Sequence, residues 1–327
     1  MGMENFNSTD FQLLLDYEMA LACAAAKDEK GYEFLNKICW MPKKSELKAD
    51  STLEFMVSKD ANEPEPFKGK VNFNDIDYKT KKISTIDWGG EGIRIGRKLK
   101  AGTMSNVVDN EIGKLATAQI NKPITYAMNL LYYANATSME INGVTFDLTT
   151  FEGTSAELIE TSHSLWNATV NNEVGITVAT TAYPSLSETR NAVDYLIHSV
   201  KGFTDTSGAF YPFRSVAAED FVFLSDTYMH SRLNDLQKQQ ASPERGFQNF
   251  TGLDSFSDPT IREASHDRLY AIRKTGPYKA LIWLKVQEGP EVKVFYDESL
   301  KAWFVAPTFD WLIHTGDPRA IIMGRKA

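Results

Sequence analysis

A chain of 327 residues can bury about three quarters of the surface its unfolded form exposes, so it has room for two domains or one elaborated domain. Its 35 basic and 43 acidic residues give a net charge of -8, which excludes the basic footprint of a sequence-specific DNA binder. Two cysteines, Cys23 and Cys39, with no CxxC spacing exclude a disulfide framework and a four-cysteine zinc site, and reduced cytoplasmic thiols are expected.

The stretch LLLDYEMALACAAA lacks a basic leader and holds Asp16 and Glu18, so no export signal is expected. Without secretion the four glycosylation patterns at Asn7, Asn135, Asn167 and Asn249 read as chance matches. No apolar run reaches membrane-spanning length.

Thr9 followed by Gln12 makes a capping-box pattern. Phe11, Leu14, Leu15, Leu21, Ala22 and Ala25 then keep helical spacing up to Lys27. The polar run to Gly31 ends that helix, and Phe34, Leu35, Ile38 and Trp40 form a short apolar piece before Pro42. An arm this short cannot offset its ordering entropy alone and must lie on another surface.

Leu53, Phe55 and Val57 alternate with polar neighbours, as do Val71 and Phe73, which predicts a hairpin with a long tip. A lone ribbon is marginal in water. The mixed charges at Asp60, Glu63, Glu65, Lys68 and Lys70 suit polar contact with a neighbouring subunit, the alternative being a mobile surface loop. Ile83, Ile86 and Trp88, then Ile93 and Ile95, continue the strand pattern. Between them, Gly89 to Gly96 (GGEGIRIG) invites a phosphate-cradle reading. Its spacing is one residue too long for a dinucleotide fingerprint and is followed by strand alternation, so a glycine bend between strands is expected.

Residues 106–135 form the organising stretch, a long amphipathic helix that spans roughly 45 Å if continuous. Ser105 is placed to cap it, and Asp109 and Glu111 lie near its positive end. Pro123 predicts either a bend near Asn121 or two helices end to end. Asn142-Gly143 then marks a hairpin within Met139 to Phe151, and the polar segment to Gly175 reads as a crossover. Ser185 and Glu188 form a second capping box, for a helix stopping at Gly202. The strand Asp220 to Ser225 follows, and Asp226 caps a helix carrying Met229, Leu233 and Leu236. Ala241 to Asp267 reads as a long loop. The remainder is strand-rich: Arg268 to Arg273, Lys279 to Val286, Glu291 to Tyr296 and Ala302 to Val305, with a turn at Asp297 to Ser299. Trp283, Phe295, Trp303, Phe304, Phe309 and Trp311 are read as its core.

Chemistry is sparse. The histidines are His163, His198, His230, His266 and His314, and the pairs Asp194/His198 and Asp226/His230 lie four apart on predicted helices. Each could share a helix face, but neither has a third metal ligand near in sequence. Ser155 lacks the second glycine of a nucleophile elbow, and neither cysteine has a histidine close in sequence. No catalytic residue, cofactor or metal is expected.

The segments KKISTIDWGGEGIRIGRKLKAGTMSNVVDNEIGKLA, SHSLWNAT, TRNAVDYLIHSV with EDFVFLSDTYMHSRLNDL, and KAWFVAPTFDWLIHTGDPRAI, in that order, resemble tailed-bacteriophage major capsid proteins of the HK97 fold, in flavour the Mu-like major head subunits. The resemblance covers nearly the whole chain. It implies an α+β fold: an N-terminal arm (1–50), an extended E-loop hairpin (51–87), a P-domain (88–150) with the spine helix at about 105–135, an A-domain (151–290), and strands 291–327 returning toward the P-domain. It implies a self-assembling virion shell of hexamers and pentamers around double-stranded DNA, assembled in the host cytoplasm, without catalysis. The hairpin would lie across the adjacent subunit, with Asp60, Glu63, Glu65, Lys68 and Lys70 as contacts. Because the arm is short, a separate scaffolding chain is expected, along with a portal and a decoration protein. Some relatives form lysine–asparagine crosslinks; the hairpin lysines leave this open, and no partner for them stands out in the sequence. An encapsulin-like compartment shares the fold and is the nearer alternative. An α/β enzyme holding a phosphorylated ligand at Gly89 to Gly96 is the alternative of another class.

Overall fold

The computed structural model describes residues 8–48, 51–58, 78–89, 92–96, 101–151, 156–165, 168–178, 184–205, 207–208, 213–238, 252–261, 268–297, 299–300 and 302–326. The chain opens with helices α1 (Ser8–Ala26) and α2 (Glu29–Ile38), the short strand β1 (Cys39–Trp40), and a ribbon of β2 (Thr52–Ser58) and β3 (Tyr78–Ser84). Strands β4 (Ile86–Gly89) and β5 (Ile93–Gly96) lead to α3 (Ala101–Ile120) and α4 (Lys122–Tyr132). Next come β6 (Ser138–Ile141) and β7 (Val144–Asp147), then β8 (His163–Leu165), β9 (Ala168–Val170) and β10 (Glu173–Ile176). Helix α5 (Leu186–Lys201), β11 (Phe221–Ser225), α6 (Thr227–Lys238) and β12 (Asp254–Ser257) precede β13 (Arg268–Arg273), β14 (Leu281–Lys285), β15 (Glu291–Asp297), β16 (Ala302–Thr315) and β17 (Ile321–Lys326).

The predicted spine is two helices end to end, broken at Asn121. Pro123 lies in the first turn of α4, where its missing N–H costs nothing. The break is stitched from outside. Tyr32 donates its hydroxyl to the Ile120 carbonyl at 2.6 Å. The Asn121 side chain accepts from the Asp28 N–H at 3.0 Å and donates to the Ala26 carbonyl at 2.8 Å. Tyr32 of α2 thus supplies the partner for a carbonyl that a continuous helix would satisfy itself, and the Asn121 side chain ties the α1–α2 joint to the break. Ser105 does not cap the spine, because α3 begins four residues earlier at Ala101, and α1 begins at Ser8, one residue before the expected cap.

Two large sheets carry the body. In the first, the 14-residue β16 is flanked on both edges: Trp311 lies between Lys285 of β14 and Ile86 of β4, and Val305 between Val294 of β15 and Ile93 of β5. β1 extends this sheet beside β14. The second is mixed, in the order β10-β17-β13-β11-β12. Its strands alternate between two cores. Phe221, Phe223, Leu269, Ala271 and Ile322 face one core with Val193, Leu196 and Val200 of α5 and Met229 and Leu233 of α6. Val222, Leu224, Tyr270, Ile272, Ile321 and Met323 face the main core, with α4 and the first sheet. Burial on both faces explains why these strands read as continuous apolar runs. A third cluster joins Met19 and Cys23 of α1 to Ile112, Ala116 and Ile120 of α3 and to Val292 and Val305 beneath, so the N-terminal segment lies on its own chain.

Several expectations hold in detail. Asn142 and Gly143 take left-handed φ values of 51° and 79° between β6 and β7, the geometry of a two-residue hairpin turn. Ser185 and Glu188 form the reciprocal capping box of α5, and Asp226 caps α6 by accepting from the Met229 N–H at 2.8 Å. Others are corrected. The polar crossover before α5 contains β8, β9 and β10, whose shortness hid their alternation. The expected loop from Ala241 contains β12, paired in parallel with β11, with Leu253 and Ile261 buried on either side. The strand at Ala302 runs ten residues beyond Val305, through Pro307 to Thr315, and β17 follows it. Phe295 is not core: it is 55% exposed and stacks on Phe304 at 5.1 Å. The sheets also do not divide at residue 290, because β14 belongs to the first sheet and β17 to the second. The chain crosses between them through the turn at Pro318–Ala320.

Candidate assembly surfaces

The β2–β3 ribbon belongs to neither large sheet. Its register pairs Thr52 with Ser84 through Ser58 with Tyr78. The second strand therefore lies further along than the expected Val71–Phe73 segment, which falls outside the described residues together with Asp60, Glu63, Glu65, Lys68 and Lys70. Period-2 alternation gives the ribbon two unlike faces. Leu53, Val57 and Ile83 are buried against the body, whereas Met56 and Tyr78 on the other face are exposed large apolar side chains. Leu13, Tyr17 and Leu21 of α1 are exposed too, and their spacing of four places them in one stripe. Isolated exposed apolar residues are ordinary; grouped on one ribbon face or one helix stripe, these are candidates for contact surface.

The candidate chemical positions do not converge. Asp226 uses its carboxylate as the α6 cap, and His230, one turn on, has a buried Nδ1 without a partner. Burial, and then the Lys30 charge, hold the His230 imidazolium below its ordinary pKa. Asp194 has one buried carboxylate oxygen unpartnered; burial raises its pKa more than Arg190 lowers it. No group of three or more metal-ligating side chains occurs among the described residues. Ser155 lies outside them. Both cysteines are buried and unpaired, and burial pushes the Cys23 thiol up to about 11 and the Cys39 thiol higher still, the opposite of an activated nucleophile. In the Gly89–Gly96 stretch, β4 and β5 both pair with β16. A side chain at Gly92 would meet the Val305 carbonyl at 2.9 Å, so glycine is needed there for strand approach.

Sequence reading missed three polar clusters that join elements. Lys81 on the inner ribbon face bonds Asp147 and Thr149. Asn172, fully buried, donates to the Leu158 and Pro318 carbonyls at 2.8 and 3.0 Å and accepts from the Glu160 N–H and from His163 Nε2, both at 2.9 Å. Arg319 grips Asp317 at 2.8 Å beneath the Tyr278 ring. Only the last had a local signal, the Asp-Pro turn start; Lys81 reaches acceptors 66 and 68 residues away, and Asn172 ties its own neighbourhood to Pro318, 146 residues on.

No family model matches the sequence, and no curated protein matches it. Solved structures do match in fold. The capsid of cyanophage P-SCSP1u superposes with a TM-score of 0.52 at 9% identity, covering 90% of this chain and 88% of that one. The capsid of Ralstonia phage GP4 gives 0.51 at 14% identity over 89% and 88%, and that of cyanophage Pam1 gives 0.50 at 13% over 89% of each. The chain has the α+β, HK97-like fold of these phage capsid subunits.

Proposed function

We propose that this chain is the major subunit of an icosahedral phage head, built from hexamers and pentamers and enclosing double-stranded DNA. The observation that supports this most is the correspondence in fold with capsid subunits over about nine tenths of both chains. Within that class, the order of elements suits a Mu-like head subunit. The arm, E-loop, P-domain and A-domain correspond in this reading to α1–α2, the β2–β3 ribbon, the first sheet with α3–α4, and the second sheet with α5–α6. The ribbon crosses onto a neighbouring copy, with Asp60, Glu63, Glu65, Lys68 and Lys70 as its contacts. The acidic balance suits a wall that surrounds DNA without gripping each phosphate. No catalytic role is assigned, and the copies assemble in the host cytoplasm with a separate scaffold, a portal and a decoration protein as further partners.

The deciding experiment is sedimentation of the full chain, expressed alone and with a scaffold, followed by electron microscopy of the pellet. Capsomers, tubes or closed shells are expected, and a stable monomer under both conditions would overturn the reading. Reversing Glu63 and Glu65 to lysine should impair assembly, and normal shells from that variant would remove the tip contacts from the proposal.

A further inference from the structure

The direction of the β2–β3 ribbon is set by side chains, since no large sheet continues it. On its inner face, Leu53 pairs with Ile83, Phe55 with Lys81 and Val57 with Lys79. Leu53 and Ile83 enter the main core and Val57 the second. Between these anchors lies Lys81, only 8% exposed. A buried ammonium persists only with partners. Its Nζ donates to Asp147 Oδ2 and, at 2.8 Å, to Thr149 Oγ1. Asp147 is held in turn by the Thr149 N–H at 2.9 Å and the Thr149 hydroxyl at 2.7 Å. The neighbouring Leu148 carbonyl accepts from Thr315 of β16 at 3.1 Å. Lys81 therefore ties the ribbon, through the end of β7, to the longest strand of the first sheet.

We propose that Lys81 is the positioning residue of the ribbon, fixing the angle at which it leaves the body and so the curvature at which one copy meets the next. This rests on the shell reading. Apolar anchors are non-directional and tolerate rotation. A charge-assisted contact to two acceptors is directional. Without it the ribbon stays attached but is no longer aimed. Asp147 is 59% exposed on its side chain, so removing the lysine returns that carboxylate to water and strands no buried charge.

The test uses the full chain with Lys81→Met, which keeps the apolar stem and removes the donors. Circular dichroism melting reports folding, hydrogen exchange reports peptides covering 51–58 and 78–84, and electron microscopy reports shell diameters. The variant should melt cooperatively, and its ribbon amides should exchange about tenfold faster while peptides from β13 and β17 stay unchanged. Its shells should be open or broadly spread in diameter. Lys81→Arg, which keeps charge and donors, should restore both readouts. If Lys81→Met does not fold, Asp147→Ala, a change at the more exposed partner, removes the charged acceptor while Thr149 Oγ1 still accepts from Lys81, and it is read in the same way. A folded variant with wild-type ribbon exchange and wild-type shell diameters would overturn the proposal. Should the wild type form no shells, the shell reading falls, and the exchange measurement still decides whether Lys81 holds the ribbon.

Discussion

The five-stranded sheet and the β2–β3 ribbon are both β-structure, yet they are held by different physics. Every residue of β11 and β13 is buried, with α5 and α6 over one face and the main core over the other. Its stability comes from non-directional apolar burial on two faces. The ribbon has one face against the body, two lysines on that face, and Met56 and Tyr78 in the open. A two-stranded ribbon needs a further surface. The sheet is covered on both faces within one chain, whereas the ribbon keeps Met56 and Tyr78 exposed; in the shell reading, another copy covers them.

That contrast can be broken most forcefully in the sheet. Phe223→Ala removes a fully buried ring from the α5–α6 side and should cost about 3–5 kcal/mol in denaturant unfolding. Gly324→Ala in β17 would place a methyl 2.7 Å from Ile176 Cγ2, and overpacking of this kind should cost about 1–3 kcal/mol by the same measurement. Asp226→Ala, which removes the α6 cap, should cost about 1 kcal/mol.

A smaller effect depends on pH. Asp254 at the sheet edge is bonded to Lys37 at 2.8 Å and Lys274 at 3.3 Å. Burial raises its pKa, but the lysine hydrogen bonds and charges outweigh this and leave it lowered. A depressed folded pKa means that its stabilisation is complete above the ordinary carboxylate value of about 3.9 and is lost as pH falls through the folded value. Asp254→Asn should therefore flatten the acid limb of a melting-temperature profile while wild type keeps it. The smallest effect on the subunit should come from the ribbon. Tyr78→Ser should change monomer stability by no more than about 0.5 kcal/mol yet lower shell yield in sedimentation. A large monomer cost, or no loss of yield, would erase the distinction between the two regions.

Local rules made much of the helical framework legible. The Ser185–Glu188 box, the Asp226 cap, the Asn142-Gly143 turn and the Pro123 break each arise from a few neighbouring residues whose backbone preferences act at short range. Where alternation was short or broken, reading failed. Strands of three and four residues such as β8, β9 and β12 give too few periods to distinguish from loop, and β16 hides its length behind Pro307 and a run of aromatics.

By itself, the sequence determined the break at Pro123, the capped starts of α5 and α6, the Asn142-Gly143 turn and most of the apolar runs that form the core, because these follow from propensity, capping and periodicity along the chain. Only the tertiary structure decided that the chain leaves the second sheet between β13 and β14 and returns to it from β16 to β17 through the Pro318–Ala320 turn, and that Phe295 is surface. It alone decided that a lysine on the buried face of a ribbon finds its acceptors 66 and 68 residues away. Pairing between strands and the satisfaction of a buried charge depend on distances in space, and no local pattern encodes them.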